Sequence, residues 1–550
     1  MKPTRYTQEM YDEYFSKGYW TDETTSALWD RNAVQYPDQE AFVDAHRRLT
    51  WSQVKLMSDR IAFNLLGLGL KRDEFLFSLL PNCVESYLMR GACEKAGVIC
   101  GSALMTIREM EIGHVFKQFS AVGIAIPTEF RRFPFYKAVQ EMRPNFNLLR
   151  HVIVMGGKVP EGALSLEAMM QQPENVPPGY FDRTTIGATE VSMIGFTSGT
   201  TGMPKGAEHV QCARIAMAKG YAAGPKLHGK DIVLNIISPV GGLSSAFTYN
   251  GSAALVGAKV VLLDVWSPEK TFALIEKEKA TILLAVPAQL AKLALDPSYV
   301  NFDLSSLRCI CTSTAPLPYS LATAVEERFK VPVVNFYGQF DAGSIAGVSI
   351  DDPLEVRRST VGKPLKENTT ALLGEDGKEV APGEIGEVVY TGPTAGSGYY
   401  GDVETTLKVW GKLGKEGRCR SGDLAKFNQD GYLILVGRKK DVIIRGGQNI
   451  FPAEEEGLLL THPKINSVAI VPMPDPIMGE KCCAYVVLKE GETLSFEEMV
   501  SFLKDKKIAN YKIPERLEVR KELPLKGLQK IAKGPLCKDI IEKLKAEGKL

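Results

Sequence analysis

The chain has 550 residues, too many for a single hydrophobic core, so two or more domains are expected. Hydrophobic residues make up 45% of the sequence and charged residues 24%, as in ordinary soluble globular proteins. The formal net charge is only +1, which argues against nucleic acid and against an anionic membrane surface as partners.

The N-terminal segment mixes charged and apolar residues and lacks the apolar core of a signal peptide. No window of about 18 uninterrupted apolar residues indicates a membrane span. The 10 cysteines include no CxxC pair and the 6 histidines no HExxH motif, which argues against a zinc site. We therefore expect a cytoplasmic protein whose cysteines are reduced.

In chain order, the first informative element is an apolar stretch, Val191–Phe196, followed directly by Thr197–Gly206, which reads TSGTTGMPKG. Glycines let backbone N–H groups approach phosphate oxygens, while the hydroxyls add donors and Lys205 adds a positive charge. A flexible linker is the alternative, but linkers rarely combine so many hydroxyls with a lysine. The spacing differs from the GxxxxGKS or GxxxxGKT pattern, so a P-loop fold is not implied. The candidate phosphate-binding residues are Thr197, Ser198, Gly199, Thr200, Thr201, Gly202 and Lys205.

The middle of the chain alternates apolar, strand-like runs with helix-like segments. Ser267 and Pro268 form an N-cap and first-turn pair for one helix, and another is predicted near Leu321–Phe329. This alternation predicts a mostly parallel sheet flanked by helices, in which ligands gather at the carboxyl ends of the strands. We therefore expect functional residues just after Cys311 and Phe336. The predicted strands are Lys259–Asp264, Thr281–Val286, Leu307–Cys311 and Val331–Phe336.

The last hundred or so residues predict a small α+β unit. The basic, glycine-flanked stretch Gly437–Arg445 interrupts the earlier pattern and indicates the boundary. The fold class expected is therefore α/β, with a large N-terminal domain, 1–438, and a small C-terminal domain, 439–550. The elements predicted in the latter are strands at Ser467–Val471, Cys482–Leu488 and Arg516–Val519, and helices near Phe496–Lys504 and Pro535–Ala546.

Gly396–Gly401 fits the GxGxxG pattern of dinucleotide-binding folds, and Asp423 lies about where a ribose-binding acid would follow. In those folds the glycines sit directly at a strand-to-helix turn. Here Thr391–Ala395 separates them from the predicted strand Glu387–Tyr390, so we do not expect a dinucleotide site.

Segments between about Ala41 and Leu536 resemble, in family order, the motifs of the adenylate-forming superfamily of acyl-CoA synthetases, firefly-type luciferases and adenylation enzymes. Agreement among ordered motifs is more specific than any single motif. The main matching segments are Thr197–Gly206 (phosphate loop), Thr314–Leu317 (adenine-side loop), Asn335–Asp341 (tyrosine–glycine–x–threonine–glutamate motif), Ser421–Leu424 (ribose segment), Gly437–Asp441 (hinge) and Pro524–Ile531 (C-terminal lysine motif).

The resemblance implies roles for individual residues. Tyr337 would stack on the adenine of ATP, and Asp423 would accept hydrogen bonds from the ribose hydroxyls. Lys530 would be delivered to the reacting carboxylate and α-phosphate, although by composition alone it is one more solvated lysine in a basic tail. The implied set is Lys205 and Lys530 for catalysis, Thr314, Ala315, Pro316, Tyr337, Asp423 and Arg438 for adenosine, Lys440 at the hinge, and Gly446 and Gly447 on the CoA side.

The sequence departs from the family pattern beside the metal and the acyl group. Asp341 stands where glutamate is usual and is shorter by one methylene, so it is a candidate for Mg²⁺ directly or through water. Phe340 stands where threonine is usual, and Gly241 and Gly242 stand where many relatives have bulkier residues. The glycines either shape a turn only or open a rounded apolar pocket for a ring-shaped acid. The residues of that candidate acyl pocket are Gly241, Gly242, Ser313, Gly338 and Phe340.

The resemblance implies an acid–CoA ligase with ATP and CoA as co-substrates and Mg²⁺ as cofactor. It would form an acyl-AMP and then a thioester, and the C-terminal domain would rotate about Lys440 between the steps. A ring acid such as cyclohexanecarboxylate, cyclohexenecarboxylate or benzoate is favoured over a short- or medium-chain fatty acid. Two further hypotheses stay open: an adenylating enzyme that loads a carrier protein, and a degenerate nucleotide-binding sensor.

Overall fold

The structure is a computed structural model of the chain, and it describes residues 1–198, 204–240, 251–526 and 530–550. Two large sheets occupy the N-terminal part of the molecule. Their strands are β1 (Glu40–Val43), β2 (Arg48–Thr50), β3 (Phe75–Ser78), β4 (Ile99–Ser102), β5 (Gly123–Pro127), β6 (His151–Met155), β7 (Leu164–Ser165), β8 (Val191–Ser198), β9 (Pro204–Val210), β10 (Ile232–Asn235), β11 (Lys259–Leu262), β12 (Ile282–Leu284), β13 (Cys309–Thr312), β14 (Val333–Gln339), β15 (Gly343–Gly347) and β16 (Lys363–Pro364).

Helices cover these sheets and the C-terminal part of the chain. They are α1 (Gln8–Ser16), α2 (Thr25–Gln35), α3 (Trp51–Gly67), α4 (Val84–Ala96), α5 (Glu109–Phe119), α6 (Phe135–Met142), α7 (Leu166–Gln171), α8 (Gln211–Ala223), α9 (Ser252–Val256), α10 (Pro268–Glu278), α11 (Pro287–Leu295), α12 (Tyr319–Phe329), α13 (Leu354–Ser359), α14 (Val403–Trp410), α15 (Pro452–Leu459), α16 (Phe496–Asp505) and α17 (Lys533–Ala546). No helix within the described ranges has the length and apolar character needed to cross a membrane.

The first sheet has the order β16-β15-β14-β13-β12-β10-β11-β1-β2, and its central strands are parallel. The four strands predicted in the middle of the sequence are β11 to β14, which confirms the expected α/β class. Helix α10 also begins as predicted, because the Ser267 side chain accepts a hydrogen bond from the Lys270 N–H and Pro268 is the first helical residue.

The second sheet has the order β7-β6-β5-β3-β4-β8-β9 and is parallel up to β8. Strand β9 returns antiparallel to β8, so β8 and β9 form a hairpin at this edge of the sheet. The carboxyl ends of β5, β3, β4 and β8 lie on one side of the sheet, and β9 begins on that side.

Smaller sheets follow in the chain. An antiparallel sheet consists of β17 (Thr369–Leu373), β18 (Gly386–Thr391), β19 (Cys419–Phe427) and β20 (Leu433–Arg438). A short 3₁₀ helix, Lys439–Asp441, then leads into a separate sheet whose strands include those predicted near the C-terminus. The last strands are β21 (Ile443–Arg445), β22 (Gln448–Ile450), β23 (Ile465–Asp475), β24 (Gly479–Leu488), β25 (Arg516–Arg520), β26 (Leu525–Lys526) and β27 (Lys530–Ile531).

The cores of the sheets are apolar and closely packed, and all 10 cysteines are free thiols. Cys309 and Cys311 both lie on β13, with their sulfur atoms 3.9 Å apart and not bonded. The reduced cysteines agree with the expectation from sequence.

Candidate active site

The phosphate-loop segment lies at the connection of the β8–β9 hairpin. Strand β8 runs parallel to β4, and the hairpin pairs Thr197 with Lys205 and Ser198 with Pro204. This register places the connection at the carboxyl edge of the sheet, where a nucleotide is expected. The candidates Gly199, Thr200, Thr201 and Gly202 lie outside the described residues, as do the side chains of Thr197 and Ser198.

Lys205 belongs to a cluster that joins three distant segments of the chain. Its Nζ lies 5.8 Å from the centroid of the Tyr399 ring. The Tyr399 hydroxyl donates a hydrogen bond of 2.5 Å to Oδ2 of Asp341, the candidate metal residue. Burial and the Asp341 carboxylate raise the pKa of Tyr399, so the hydroxyl stays protonated and remains a donor. We name this group the Lys205–Tyr399–Asp341 cluster.

The backbone fixes the position of Tyr399. It forms a β-bridge with Ala207 on β9, and the Glu208 N–H donates to the Gly398 carbonyl at 2.9 Å. Tyr399 was not among the candidate residues, although it lies inside the GxGxxG-like segment Gly396–Gly401. The sequence signal was a glycine-rich run with an aromatic pair, and the structure shows that this run packs against the phosphate-loop hairpin.

A second group contains the predicted adenosine residues. The Tyr337 hydroxyl on β14 donates to Oδ2 of Asp423 on β19 at 2.8 Å, and Nε of Arg438 lies 3.4 Å from Oδ1 of the same carboxylate. Gln339 donates to the Ser421 carbonyl at 2.7 Å and fixes the turn before Asp423. Burial, together with the Asp423 carboxylate, raises the pKa of Tyr337. The structure thus brings Tyr337, Asp423 and Arg438 together, as the resemblance implies.

The adenine-side loop begins directly after β13, the strand next to β14 in the sheet. Thr314 has a φ of 79°, in the left-handed region, so the chain turns sharply here. Ala315 and Pro316 follow within the same loop. These residues lie at the carboxyl edge of the first sheet, where functional residues were expected after Cys311 and Phe336.

Phe340 lies against the inner face of the β8–β9 hairpin. A Cβ atom on Gly195 would lie 2.1 Å from Cε1 of Phe340, so glycine at 195 is what makes room for the ring. The ring also meets His209 edge-on, with centroids 5.0 Å apart. Burial, with Arg214 and Arg90 nearby, holds the pKa of His209 well below its usual range, so this wall is neutral at pH 7.

A cavity of about 10 Å³ adjoins Phe340, His209, Arg214 and Met217, which is room for about one water molecule. Of the other candidate acyl-pocket residues, Ser313 is buried just after β13. Gly338 packs on β15, because a Cβ there would lie 2.6 Å from the Gly343 carbonyl oxygen. Gly241 and Gly242 lie outside the described residues.

The C-terminal candidates lie on the sheet formed by β21 to β25 and on the strands after it. Lys440 is within the 3₁₀ helix Lys439–Asp441 that follows β20. Gly446 and Gly447 form the turn between β21 and β22, with φ values of 55° and 82° that favour glycine. Lys530 begins β27 and pairs with Lys526 of β26, but its side chain lies outside the described residues.

In the part of the chain that the structure describes, no three His, Cys, Asp or Glu residues cluster as a metal site. Mg²⁺ at nucleotide sites usually takes only one or two protein carboxylates and completes its shell with phosphate oxygens and water. Asp341 fits that requirement, because Tyr399 engages only its Oδ2 atom.

Residues near the N-terminus form hydrogen bonds with segments that adjoin the candidate site. The Thr4 N–H and hydroxyl donate to the two carboxylate oxygens of Glu208, each at 2.7 Å. Arg5 donates to the Gly396 carbonyl at 2.8 Å. Glu208 on β9 is fully buried, and burial raises its pKa to about 7. This segment therefore connects the hairpin to the loop that carries Tyr399.

A model of the AMP-binding enzyme family matches residues 29–400, and a model of the AMP-binding enzyme C-terminal domain matches residues 454–530. The chain belongs to the AMP-binding enzyme family. The predicted superfamily is thereby confirmed, and the chain is an adenylate-forming acid ligase.

Relatives match this adenylate-forming ligase over nearly its whole length. It is 31% identical over 535 residues to a medium-chain fatty-acid–CoA ligase of Escherichia coli (strain K12), which covers 96% of this chain and 93% of the relative. It is 28% identical to a 2,3-dihydroxybenzoate-AMP ligase of Bacillus subtilis (strain 168), over 99% of this chain and 98% of the relative. The crystal structure of an anthranilate CoA ligase in complex with anthranoyl-AMP superposes with a TM-score of 0.85 over 96% of this chain and 98% of that one. At 23% identity, the last likeness shows the fold.

Proposed function

We propose that this ligase is an AMP-forming acid–CoA ligase of the cytoplasm, with Mg²⁺ as cofactor and the C-terminal domain, 439–550, as its mobile part. The observation that carries the proposal is the span of one segment, Asn335–Asp341. Within this segment, the Tyr337 and Gln339 side chains contact Asp423, the predicted adenosine residue. Asp341, at the end of the same segment, accepts a hydrogen bond from Tyr399, whose ring faces Lys205. ATP bound along this segment would have its adenosine at one end and its phosphates at the other.

In the first step, a carboxylate oxygen of the acid attacks the α-phosphorus of ATP, and pyrophosphate leaves with the electrons of the broken P–O bond. Lys205, from the hairpin, would stabilise the phosphate charge, and Lys530 would do so between the carboxylate and the α-phosphate. Bound Mg²⁺ neutralises phosphate charge, and Asp341 would hold it while Tyr399 fixes the carboxylate by its other oxygen.

In the second step, the CoA thiolate attacks the acyl carbonyl, the acyl–phosphate bond breaks, and AMP leaves. A free thiol has a pKa of about 8.5, so a fraction is already ionised at neutral pH and no dedicated base is required. We propose that rotation about Lys440 replaces Lys530 with the Gly446–Gly447 turn between the steps. The open space around Gly447, with no atom within 4 Å of a Cβ there, suits the close approach of a thin pantetheine arm.

For the acid, we propose a small ring acid such as cyclohexanecarboxylate, cyclohexenecarboxylate or benzoate. The support is the neutral aromatic wall of Phe340 and His209 and the ring acids in the names of two similar proteins. A medium-chain fatty acid is the second candidate, because the relative at 31% identity is a medium-chain fatty-acid–CoA ligase. Transfer to a carrier protein is a further alternative for the second step.

The first experiment is ATP–pyrophosphate exchange across ring acids and fatty acids of increasing length, followed by thioester formation with CoA. We expect exchange with ring acids and CoA thioesters of the same acids. If no acid supported exchange, the proposed ligase activity would be contradicted and a nucleotide-binding sensor would be favoured. Exchange without CoA thioester would favour transfer to a carrier protein.

Lys530→Ala tests the two-step mechanism. We expect ATP–pyrophosphate exchange to fall about 10²–10³-fold, the usual effect of removing one preorganised electrostatic contact. Thioester formation from supplied acyl-AMP should be retained, since Lys530 serves the first step alone. Lys526→Ala is the matched control, because Lys526 pairs with Lys530 across the two-stranded sheet. Equal loss of both half-reactions would refute the assignment.

A further inference from the structure

A small cavity lies between three segments that are distant in sequence. It is the cavity of about 10 Å³ beside Phe340. Helix α8 lines one side of it with Arg214 and Met217. The turn between β14 and β15 lines the second side with Phe340 and Gly343, and the segment Thr394–Ser397 lines the third. We call it the Phe340 cavity.

The backbone holds two of these walls against each other. Gly343 forms a β-bridge with Ala395, and the Gly396 N–H donates to the Ala342 carbonyl at 2.8 Å. A Cβ atom on Gly396 would lie 2.2 Å from the Asp341 carbonyl oxygen, so the two segments pack backbone against backbone. The cavity is therefore bounded by closely packed main chain, and its volume limits an occupant to about one oxygen-sized group.

Two polar side chains in the walls of the cavity are buried. Arg214 is 6% exposed, and its guanidinium offers N–H donors but no acceptor. His209 is 4% exposed, and its Nε2 atom has no hydrogen-bond partner among the described residues. Burial and the positive charge of Arg214 lower the pKa of His209, so the imidazole is neutral beside the guanidinium. A buried polar atom without a partner is destabilising, so such an atom indicates a place where a ligand or a water molecule binds.

The cavity adjoins the predicted phosphate side of the candidate site. Phe340 is the neighbour of Asp341 in sequence, and Ser397 is two positions before Tyr399. Asp341 and Tyr399 belong to the Lys205–Tyr399–Asp341 cluster, so an acid that reacted beside the ATP phosphates would have the rest of its body near Phe340. Consecutive Cα atoms are only about 3.8 Å apart, so a one-ring acid is long enough to reach the cavity.

We propose that the Phe340 cavity binds a hydroxyl group on the ring of the acid, an inference that rests on the proposed ligase activity toward ring acids. The occupant must be small, since the cavity takes about one oxygen atom. It must accept hydrogen bonds, because the Arg214 guanidinium only donates. A neutral imidazole nitrogen donates or accepts according to its tautomer, and a hydroxyl group meets both cases. A second carboxylate has two oxygens and exceeds this space, whereas a methyl group offers no oxygen to either side chain.

The test begins with matched substrates on the full-length wild-type protein. ATP–pyrophosphate exchange is measured with benzoate, the hydroxybenzoates and the methylbenzoates, in which a methyl group of similar size replaces each hydroxyl group. We expect one hydroxybenzoate to exceed its methyl counterpart in kcat/KM by about 10-fold to 100-fold, the effect of one hydrogen bond to a charged group. A cavity that holds only an ordered water molecule would give no such preference. That outcome would overturn the inference and leave the ligase activity intact.

Arg214→Met tests whether the preference arises in the cavity. Methionine is flexible and apolar and removes the charged donors, so the ratio of kcat/KM for the hydroxy acid to that for the methyl acid should fall close to one. Arg214→Lys should restore part of the ratio, and His209→Phe, which keeps an aromatic ring, should lower it by about 3-fold to 10-fold. Arg60→Met is the matched control and should leave the ratio unchanged. Arg60 is a half-buried arginine of α3 that donates to the carbonyls of Met170 and Glu174 beside α7.

The ratio separates recognition of the hydroxyl group from stability, because an unfolded fraction lowers the rates with both acids equally. An unchanged ratio in Arg214→Met, with or without a loss of activity, would therefore overturn the inference. Exchange with fatty acids alone would refute both the ring-acid proposal and the inference. If no acid supported exchange, the ligase activity on which both rest would itself be refuted.

Discussion

At the scale of single residues, the carboxylate proposed for the metal is the candidate site's main departure from its family pattern. Asp341 is shorter than glutamate, and the structure compensates by holding one of its oxygens with the Tyr399 hydroxyl. The same ring faces Lys205, so Tyr399 orients both a cation and an anion. We therefore propose that Tyr399 is a positioning residue, which would act on the ATP phosphates through its two neighbours.

Tyr399→Phe should lower kcat/KM for ATP in pyrophosphate exchange by roughly 10-fold to 100-fold. A hydrogen bond to a charged group is worth about 1.5–3 kcal/mol, and the variant leaves the ring facing Lys205 in place. The effect should vanish in an Asp341→Asn background, which a purely structural role would not produce. Tyr400→Phe is the control. An equal loss in both backgrounds would contradict the positioning role.

At the residue scale, the sequence motifs name some residues that the structure brings together, and their roles stay predictions. Tyr337, Asp423 and Arg438 were named separately from three motifs, and the structure joins them around one carboxylate. Tyr399 was missed because its role depends on a backbone bridge to Ala207, which no local spacing encodes. The glycine pattern around it suggested a dinucleotide turn, and its actual use is close packing against the hairpin.

At the scale of elements, apolar runs predicted the centre of the first sheet and the C-terminal strands. The ends of strands were harder to predict. The run ending at Phe336 continues as a strand to Gln339, because polar site residues pair with β15 there. In the second sheet, strands such as Phe75–Ser78 are four-residue apolar runs, and periodicity cannot distinguish such runs from buried helix.

Helix α15 contains a carboxyl group that conflicts with its surroundings. Glu455 is fully buried, and among the described residues neither of its oxygens has a hydrogen-bond partner. Burial raises the pKa of Glu455 to about 8. The group is thus a destabilising feature of the C-terminal sheet, whose core is otherwise apolar.

Glu455→Met should therefore stabilise the protein by about 1–3 kcal/mol at pH 7, since an unsatisfied buried polar group costs that much and methionine fills similar space. The gain should grow from pH 5 to pH 8, because a raised pKa means that stability is lost as the wild-type group ionises. Urea unfolding followed across this range measures it. Glu454→Gln, at an exposed neighbour paired with Lys512, should show no such trend. A gain independent of pH would contradict the assigned titration.

At the scale of the whole molecule, the first residues of the chain connect segments that are far apart in sequence. Thr4 contacts Glu208, 204 positions away, and Arg5 contacts Gly396, 391 positions away. These contacts could not be predicted from the sequence, because contacts of such separation leave no local pattern.

Glu208→Gln tests that connection through the pH dependence of stability. The pKa of Glu208 is about 7 in the folded protein and is raised from 4.5, so the folded state holds the proton more tightly than the unfolded state. The contribution of Glu208 to the free energy of unfolding is therefore complete below about pH 4.5 and is lost as the pH rises through about 7. The change is about 3 kcal/mol. Glutamine does not titrate. Measured by urea unfolding, the variant should thus gain about 3 kcal/mol relative to wild type between pH 4.5 and 8, whatever constant penalty its amide brings beside Thr4. The exposed Glu161→Gln should give a flat difference. A flat difference for Glu208→Gln as well would mean that Glu208 is ionised throughout, held as a carboxylate by the two Thr4 hydrogen bonds.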